Sequence, residues 1–239
     1  MSLSLHSCHA THPGAHRAHN EDRFVDRPDL GIWAVADGAG GHQAGEVAAG
    51  MIAEALEAIP PGLDARAMLA QIRTRIDDVH AALLAESARR GPDAIIASTA
   101  VILCARGAHY VCLWAGDSRA YRFADGVLEQ ISHDHSLVQE LVDAGQIEPA
   151  AAETHPNANV ITRAVGAVDP DGLMLDKITD ELRPGQRFLL CSDGLTKTIP
   201  EADIAALLAN GGDAAAQLVA RALERQARDN VTVVVVDVE

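Results

Sequence analysis

The chain has 239 residues, 48% hydrophobic and 22% charged, which is typical of a compact globular unit with enough apolar side chains for a core. Its formal net charge of -15 argues against broad binding to nucleic acid or to an anionic membrane surface. No apolar run approaches the roughly 20 residues of a membrane-spanning helix, and no secretory signal pattern opens the chain. We therefore expect a cytoplasmic protein without nucleic-acid or membrane partners.

The first predicted elements are one strand and two helices. The apolar run GIWAVA at 31–36 ends at an aspartate and a glycine cluster, which is typical of a buried strand entering a tight loop. The Ala-rich segment 46–59 has helical spacing. A second amphipathic helix is predicted from residue 64 to about 89, because its apolar residues recur at helical intervals before Gly91.

Three strand-like segments follow closely, at 98–104, 108–115 and 119–124. Gly107 and Gly116 lie between them and supply turns. This pattern predicts an antiparallel meander.

The remaining elements complete one domain over residues 1–239. A short helix is predicted at 135–144, and the stretch from about 146 to 171 is irregular, which is more often functional than accidental at this length. A strand at 186–192, helices at about 200–209 and 213–227, and a final strand at 231–238 follow. Strands with hairpin-like connections mixed with paired helices favour an α+β fold.

The four cysteines are interpreted as ordinary thiols. Three of them lie inside apolar, strand-like runs and no two form a CxxC pair. Small buried side chains in a reducing compartment are favoured over disulfides or zinc ligands. The residues are Cys8, Cys104, Cys112 and Cys191.

Acidic residues at strand ends are the most informative feature of the sequence. Asp37, Asp117 and Asp193 each follow an apolar strand and have a glycine beside them; Asp229 precedes the last strand, and Glu21-Asp22 precede the first. Any one Asp-Gly pair is more simply a turn, but five such sites are harder to explain that way. Carboxylates that meet at one rim repel unless cations neutralise them, and all-oxygen ligands suit Mg²⁺ or Mn²⁺ rather than zinc.

Such a centre has a defined chemistry. Two ions a few ångströms apart lower the pKa of a bridging water and clamp a phosphoryl group for in-line attack. Arg17, four residues before Glu21, is a candidate for bidentate phosphate binding. Taken alone, Arg17 is also explained as an exposed arginine of the N-terminal segment.

Eight short motifs resemble those of metal-dependent protein phosphatases of the protein phosphatase 2C type, especially the compact bacterial members. They occur in the order of that family and extend over nearly the whole chain. The motifs are RAHNED (17–22), AVADGAGGHQAGE (34–46), STAV (98–101), AGDSRAY (115–121), HDHSLV (133–138), TRAVG (162–166), LCSDGL (190–195) and RDNVTV (228–233).

The resemblance implies a four-layer α-β-β-α sandwich, in which two mainly antiparallel sheets are flanked by helix pairs. It places a site for two Mn²⁺ or Mg²⁺ ions at one end, between the sheets. The irregular stretch, about 146–171, corresponds to the mobile flap of the family, and we call it the flap segment.

The resemblance also assigns roles by position. Asp37 matches the carboxylate that bridges two metal ions, and Gly38 supplies a backbone carbonyl. Asp193 and Asp229 match ligands of the first ion, and Glu21 matches the acid that holds the second, largely through water. Asp117 with Asp193 matches a third, weaker metal site of bacterial relatives, and Arg17 matches the phosphate-binding arginine.

One position departs from the family pattern. Eukaryotic members have a histidine, the proposed general acid, directly after the Asp-Gly pair, whereas Ala39 stands here. No proton donor is therefore assigned by resemblance. His42 is nearby, but helix capping or packing is its favoured role, and a metal-bound water is the alternative donor.

The N-terminal histidines recur closely enough to suggest zinc. The favoured interpretation is a solvated extended segment, because no cysteine pair or fixed strand context supports a ligand set. The residues are His6, His9, His12, His16 and His19.

The resulting prediction is a serine/threonine phosphoprotein phosphatase that opposes a bacterial kinase, acts on phosphorylated proteins and is a monomer. A catalytically silent phosphoprotein-binding scaffold is one alternative, disfavoured because Asp37, Asp193 and Asp229 are all present. A phosphoesterase for small molecules is the other, although the sequence lacks a Walker-type phosphate loop.

Overall fold

The computed structural model describes residues 3–40, 44–168 and 172–239. The strands are β1 (Leu5–His12), β2 (Arg23–Arg27), β3 (Ile32–Ala36), β4 (Gly38–Ala39), β5 (Ala97–Ser98), β6 (Ala100–Arg106), β7 (His109–Ala115), β8 (Arg119–Ala124), β9 (Val127–Gln130), β10 (Asp176–Glu181), β11 (Arg187–Cys191) and β12 (Val231–Val238). The helices are α1 (Ala44–Glu57), α2 (Ala65–Arg90), α3 (Leu137–Asp143), α4 (Pro149–Ala152), α5 (Asp193–Thr196), α6 (Glu201–Ala209) and α7 (Ala214–Glu224).

Two antiparallel sheets of five strands each form the centre of the fold. In the first sheet the strand order is β1-β12-β11-β8-β9, and in the second it is β10-β7-β6-β3-β2. β4 and β5 form a separate two-stranded pair, in which Gly38 pairs with Ser98. The prediction of an α+β fold with two mainly antiparallel sheets is confirmed.

The central strands bury both of their faces, which explains why they are continuous apolar runs. In β3, Trp33 and Val35 pack between the sheets, whereas Ile32 and Ala34 pack against helices α1 and α2. In β12, alternate valines likewise divide between the inner core and the α6–α7 side. Because side chains alternate along a strand, a run without polar residues indicates a strand covered on both sides. The order of layers is helices, sheet, sheet, helices, as the resemblance implies.

The long helices begin where side chains cap them. Asp64 precedes α2 and its carboxylate accepts a hydrogen bond from Ala67 N at 2.8 Å, and Asp213 does the same for α7 with Ala216 N at 3.0 Å. Such caps satisfy backbone donors that the first turn leaves free. Helix α2 ends at Gly91, where the sequence predicts its end.

Most predicted elements are present within a few residues of their expected bounds. The strand at 31–36 is β3, the helices at 46–59 and 64–89 are α1 and α2, and the strands at 186–192 and 231–238 are β11 and β12. The predicted helices at 135–144, 200–209 and 213–227 are α3, α6 and α7. The sequence does not predict strands β1, β2, β4, β9 and β10 or the short helix α5, and the flap segment contains the short helix α4.

The predicted meander is wrong in its third strand. β6 and β7 form a hairpin, but β8 pairs with β11 and β9 in the other sheet. The chain changes sheets at Gly116, which has φ +115°, and a Cβ there would lie 2.6 Å from the Thr99 side chain. A glycine is needed at this point because the backbone is both left-handed and tightly packed. This crossing places Asp117 at the rim of the sandwich.

The N-terminal segment is extended only at residues 5–12, which form a paired edge strand rather than a solvated segment, and residues 14–19 form a turn and a bend. β1 pairs with β12 along its whole length. His9 Nδ1 lies 2.7 Å from Asp26 Oδ2, and its ring lies 4.2 Å from that of Phe24. The contacts of His9 are therefore those of a side chain that joins β1 to β2.

The cysteines are free thiols. Three of them are buried in β6, β7 and β11, and Cys8 is half-buried in β1. Burial raises the pKa of Cys104 to about 11 and those of Cys112 and Cys191 to about 12. Among the described residues, we find no helix that is both long and apolar enough to cross a membrane.

Candidate active site

The predicted site residues meet at one rim of the sandwich, around a cavity of about 670 Å³. Strand β3 leads into Asp37, β11 leads into Asp193, and Asp229 lies just before β12, so both sheets contribute. The crossing between β7 and β8 contributes Asp117. The cavity is lined by Arg17, Glu21, Asp37, Gly38, Ala39, Gly40, Asp117, Asn159, Ile161, Asp193, Gly194, Lys197, Thr198, Arg225, Gln226, Arg228, Asp229 and Asn230.

The backbone of Asp37 is held by the STAV motif. Asp37 N donates to Thr99 Oγ1 at 3.0 Å, and Asp37 O accepts from Thr99 N at 2.9 Å and from Ser98 Oγ at 3.0 Å. Thr99 Oγ1 in turn lies 2.6 Å from Ser118 Oγ, beside Asp117. These bonds fix the strand end on which Asp37 stands and couple it to the neighbouring crossing.

Asn230 organises the N-terminal side of the cavity. Its Oδ1 accepts from Glu21 N at 2.9 Å, and its Nδ2 donates to Pro13 O and His19 O, both at 2.9 Å. The loop that carries Arg17 and Glu21 is thereby fastened to the start of β12. Sequence reasoning included Asn230 only as part of a motif and gave it no role.

Arg17 lies at the mouth of the cavity. Its Nη2 donates to Asp229 Oδ2 at 2.9 Å, and its side chain is 55% exposed. This hydrogen bond to Asp229 raises the pKa of Arg17, and the charge of Asp229 adds to the shift. The other nitrogens of the guanidinium remain available to a bound anion.

Asp22 is a buried site residue to which sequence reasoning gave no role. It is 2% exposed, and its Oδ2 accepts from Ser192 Oγ at 2.7 Å. Burial, and then the charges of Asp193 and Asp229, raise the pKa of Asp22 to about 7. The signal in the sequence is its place directly after Glu21 and before β2, where it enters the sandwich.

Lys197 is a second residue that the sequence reasoning did not find. Its Nζ donates to Asp193 Oδ2 at 2.5 Å and to Asn159 Oδ1 at 2.7 Å, and it lies 4.0 Å from Asp117 Oδ2. Burial opposes its charge, but Asp193 and then Asp117 outweigh burial and raise the pKa of Lys197. The available signal is its spacing of four residues from Asp193, which is one helical turn.

Burial and neighbouring carboxylates raise the pKa values of Asp37 and Asp117. Burial is the first cause that raises the pKa of Asp37 well above its usual value, and the charges of Asp22, Asp193 and Asp117 follow. For Asp117 the causes are burial and then Asp193, partly opposed by Lys197, and its pKa is about 7. Buried like charges are unfavourable without a cation between them.

Unpartnered oxygens show that the site fits hard cations. Asp22 Oδ1, Asp117 Oδ1 and Asp193 Oδ1 are buried and accept no hydrogen bond. A buried oxygen without a partner costs free energy, and oxygen ligands are those that Mg²⁺ and Mn²⁺ prefer. Over the described ranges, no three Asp, Glu, His or Cys side chains are grouped tightly enough to hold an ion by themselves. Mg²⁺ commonly keeps several waters and takes few carboxylates, so an open arrangement suits it.

The position after Asp37-Gly38 offers no proton donor. Ala39 lines the cavity and carries no titratable group. His42 falls outside the described residues. No histidine is found among the described residues that line the cavity.

His135 supports the site from behind the Asp117 crossing. Gly116 N donates to its Nδ1 at 3.2 Å, so the ring proton is on Nε2, which lies 3.3 Å from Asp176 Oδ2. Arg163, at the end of the flap segment, donates to Asp176 Oδ1 at 2.9 Å. Burial, followed by the charge of Arg163, lowers the pKa of His135. The ring is therefore a neutral link between the crossing and β10.

Comparison with known proteins identifies the family. Residues 15–230 match the family model described as Protein phosphatase 2C. The chain belongs to the protein phosphatase 2C family. The resemblance drawn from the motifs is thereby confirmed.

Among curated relatives, the serine/threonine protein phosphatase PstP of Mycobacterium tuberculosis is 33% identical over 240 residues. This match covers 100% of the present chain but 46% of PstP, so the chain spans about half the length of that relative.

Two solved structures are similar over their full lengths. PppA, described as a key regulatory component of T6SS in Pseudomonas aeruginosa, is 40% identical, with a TM-score of 0.91 and coverage of 100% of both chains. The catalytic domain of PstP in complex with two manganese ions is 33% identical, with a TM-score of 0.83 and coverage of 99% of both chains.

Proposed function

We propose that the chain is a metal-dependent phosphatase that removes phosphate from phosphoserine and phosphothreonine in other proteins. The proposal is supported most by one observation: carboxylates from both sheets surround a single cavity and keep buried oxygens without partners. Family membership and the relatives named as serine/threonine phosphatases point to the same activity.

The residues divide into metal-holding and phosphate-holding groups. Asp37 is proposed to bridge two ions, with the carbonyl of Gly38 as a further ligand. Asp193 and Asp229 would hold the first ion and Glu21 the second through water, and the family pattern gives Asp117 to a third. Bound Mn²⁺ or Mg²⁺ would lower the pKa of a water and stabilise charge on the phosphoryl oxygens.

Arg17 is proposed to bind and orient the phosphate. It is exposed at the cavity mouth, and its bond to Asp229 uses one of its three nitrogens. A guanidinium can donate two parallel hydrogen bonds to phosphate oxygens, which fixes the orientation of the group. No side chain is assigned as proton donor, because Ala39 occupies the position at which a donor is expected.

Several broader features belong to the same proposal. Residues 1–239 would form a single catalytic domain, with the flap segment (about 146–171) beside the site. The substrates would be phosphorylated proteins, and the activity would oppose a bacterial serine/threonine kinase. Because the chain is 40% identical to PppA over the whole length of both chains, we extend the proposal to a regulatory role. A cytoplasmic location and a monomeric state remain predictions.

A direct assay tests the activity. With Mn²⁺, the purified chain should hydrolyse an aryl phosphate and a phosphothreonine peptide, and a chelator should abolish both reactions. Asp37→Asn should lower kcat by about two orders of magnitude or more, because the charge that holds the ions is lost. Asp125→Asn is the matched control, since Asp125 is exposed in the turn between β8 and β9 and should leave kcat unchanged.

Three results would contradict the proposal. Full metal-dependent activity in Asp37→Asn would overturn the site. Strong preference for a phosphotyrosine peptide, or for small phosphoesters over both phosphopeptides, would overturn the substrate class. Tight binding of a phosphopeptide without hydrolysis would indicate a silent scaffold instead.

A further inference from the structure

Lys197 stands between two carboxylates that the family pattern assigns to a metal ion. It follows the short helix α5, one turn after Asp193. Its Nζ donates to Asp193 Oδ2 at 2.5 Å and lies 4.0 Å from Asp117 Oδ2. The Lys197 side chain is 40% exposed, whereas those of Asp193 and Asp117 are 16% and 7% exposed. The ammonium therefore reaches from solvent into the acidic side of the cavity.

The same ammonium also holds the flap segment. Lys197 Nζ donates to Asn159 Oδ1 at 2.7 Å. Four residues, Asp117, Asn159, Asp193 and Lys197, line both the site cavity and a second cavity of about 400 Å³ beneath α4. Lys197 and its partners thus form the wall between the two cavities.

Lys197 offsets part of the negative charge that Asp117 and Asp193 place on this side of the site. Asp117 and Asp193 each direct one oxygen toward Nζ and keep the other, Oδ1, without a partner. Arg119, another cation that lines the second cavity, is committed to Asp134, with hydrogen bonds of 2.8 to 3.0 Å. A lysine ammonium is a compact point charge with three donors, so it can serve two carboxylates and an amide at once.

We propose that Lys197 takes the place of the third, weaker metal ion between Asp117 and Asp193, and that its bond to Asn159 ties the flap segment to the site. This inference rests on the proposed function, because it concerns the same carboxylates. It departs from the family expectation: the chain binds two ions, and an internal cation completes the charge balance. Lys197 is a positioning residue, since it acts through the aspartates and Asn159.

Metal counting tests the inference without any measurement of turnover. Mn²⁺ is titrated into the metal-free protein, and free Mn²⁺ is followed by its electron paramagnetic resonance signal up to millimolar concentrations. Wild type should bind two ions. Lys197→Ala should gain a third, weaker site, with affinity for that ion improved by about tenfold or more because a positive charge near 4 Å has been removed. Lys197→Arg, which keeps the charge, should still bind two.

A proteolysis assay tests the contact between Lys197 and the flap segment separately from the charge of Lys197. Endoproteinase Glu-C can cut after Glu153, which lies in the flap segment and is followed by Thr154. Cleavage there should be faster in Lys197→Ala and also in Asn159→Ala, which breaks the contact but keeps the ammonium. Asn159→Ala should still bind two ions, so the two parts of the proposal are resolved.

Each outcome supports or overturns a stated part of the proposal. A third ion in wild type, or no third ion in Lys197→Ala, overturns the replacement of metal by Lys197. Equal cleavage of wild type and Asn159→Ala overturns the tie to the flap segment. Fewer than two ions in wild type would also overturn the two-ion site of the proposed function. If only the Lys197 proposal fails, wild type remains active with Mn²⁺ and Asp37→Asn still loses that activity. Circular dichroism of each variant identifies one that has not folded, in which case Lys197→Met replaces Lys197→Ala.

Discussion

At the scale of single residues, the protonation of His135 should make the stability of the fold depend on pH. Its neutral ring accepts from Gly116 N, and Nε2 faces both Asp176 and Arg163 at 3.3 and 3.1 Å. Its ring also stacks on Trp114, with centroids 6.4 Å apart. Protonation would place a donor against Gly116 N and a positive charge beside Arg163, so the folded state resists it.

We expect a corresponding loss of stability in acid. The folded pKa of His135 is lowered by burial and by Arg163, so below about pH 6.5, the value of an unfolded histidine, the unfolded chain binds the proton first. This contribution is fully present above that pH and is lost as the pH falls through the folded pKa. His135→Asn retains an acceptor for Gly116 N without a titrating ring. Urea unfolding of metal-free protein at pH 7 and pH 5 should show a larger decrease for wild type.

If wild type and His135→Asn lose the same free energy of unfolding between these pH values, His135 is not held neutral in the fold. Metal-free samples are used so that the pH dependence of metal binding does not add to the measured difference. Protonation of Asp22 and Asp117, whose pKa values are about 7, occurs in both proteins and cancels in the comparison.

The sequence indicates which residues meet at the rim more clearly than it indicates the side chains that contact them. Asp37, Asp193 and Asp229 follow or precede apolar strands, and strand ends of one sandwich meet at a rim, so their convergence could be anticipated. Asp22 and Lys197 could not be found in this way. The contacts of Asp22 with Ser192 and of Lys197 with Asn159 join parts of the chain that only the folded sheets bring together.

At the scale of elements, close packing of loops onto strands limits what the site can tolerate. Gly194 is the second residue of α5, directly after Asp193, and a Cβ there would lie 2.0 Å from Asn230 O. The start of β12 therefore touches the backbone of α5, and this contact sets the distance between the loops that carry Asp193 and Asp229.

Gly194→Ala should lower the free energy of unfolding by about 1–3 kcal/mol, because the added methyl group forces two backbone segments apart. Gly50→Ala is the matched control: Gly50 lies inside α1, its φ is not positive, and a Cβ added there would have no neighbour within 4 Å. That change should stabilise the protein by about 0.5–1 kcal/mol. Urea unfolding midpoints at constant m value measure both effects. Equal effects of the two substitutions would show that the contact at Gly194 is not tight.

The strands missed in the two five-stranded sheets share a physical reason. β10 is exposed along most of its length, and β1 alternates half-buried with exposed residues, because both are edge strands. An edge strand packs on fewer neighbours and needs fewer apolar residues, so hydrophobic patterning is weak there. The residues of β8 likewise do not indicate which sheet the strand joins, because either sheet would bury the same side chains.

At the scale of the whole molecule, the site is assembled from both sheets and from both ends of the chain. Arg17 and Glu21 come from the N-terminal loop, and Asp229 and Asn230 come from the start of the final strand. Ions bound at this rim would connect segments that separate on unfolding, so metal binding and global stability should be linked.

Metal addition should therefore raise the melting temperature. If Mn²⁺ binds the folded chain alone, a concentration of 100 times Kd stabilises by about 2.7 kcal/mol, which corresponds to about 5–10 °C for a chain of this size. Scanning calorimetry with and without chelator measures the shift. Asp37→Asn should lose most of it, and Asp125→Asn should retain it. An equal shift in Asp37→Asn would mean that the stabilising ions bind elsewhere.

The burial of three of the four cysteines has a consequence for how the proposed activity can be controlled. Enzymes that use a thiolate nucleophile are silenced when peroxide oxidises it, and susceptibility follows thiolate character and exposure. Here the thiols of Cys104, Cys112 and Cys191 are buried with strongly raised pKa values, and no cysteine is found among the described residues that line the cavity. Oxidants and alkylating agents that stop thiol-dependent phosphatases find no thiol among those lining residues, so the proposed reaction would not depend on the redox state of a cysteine there.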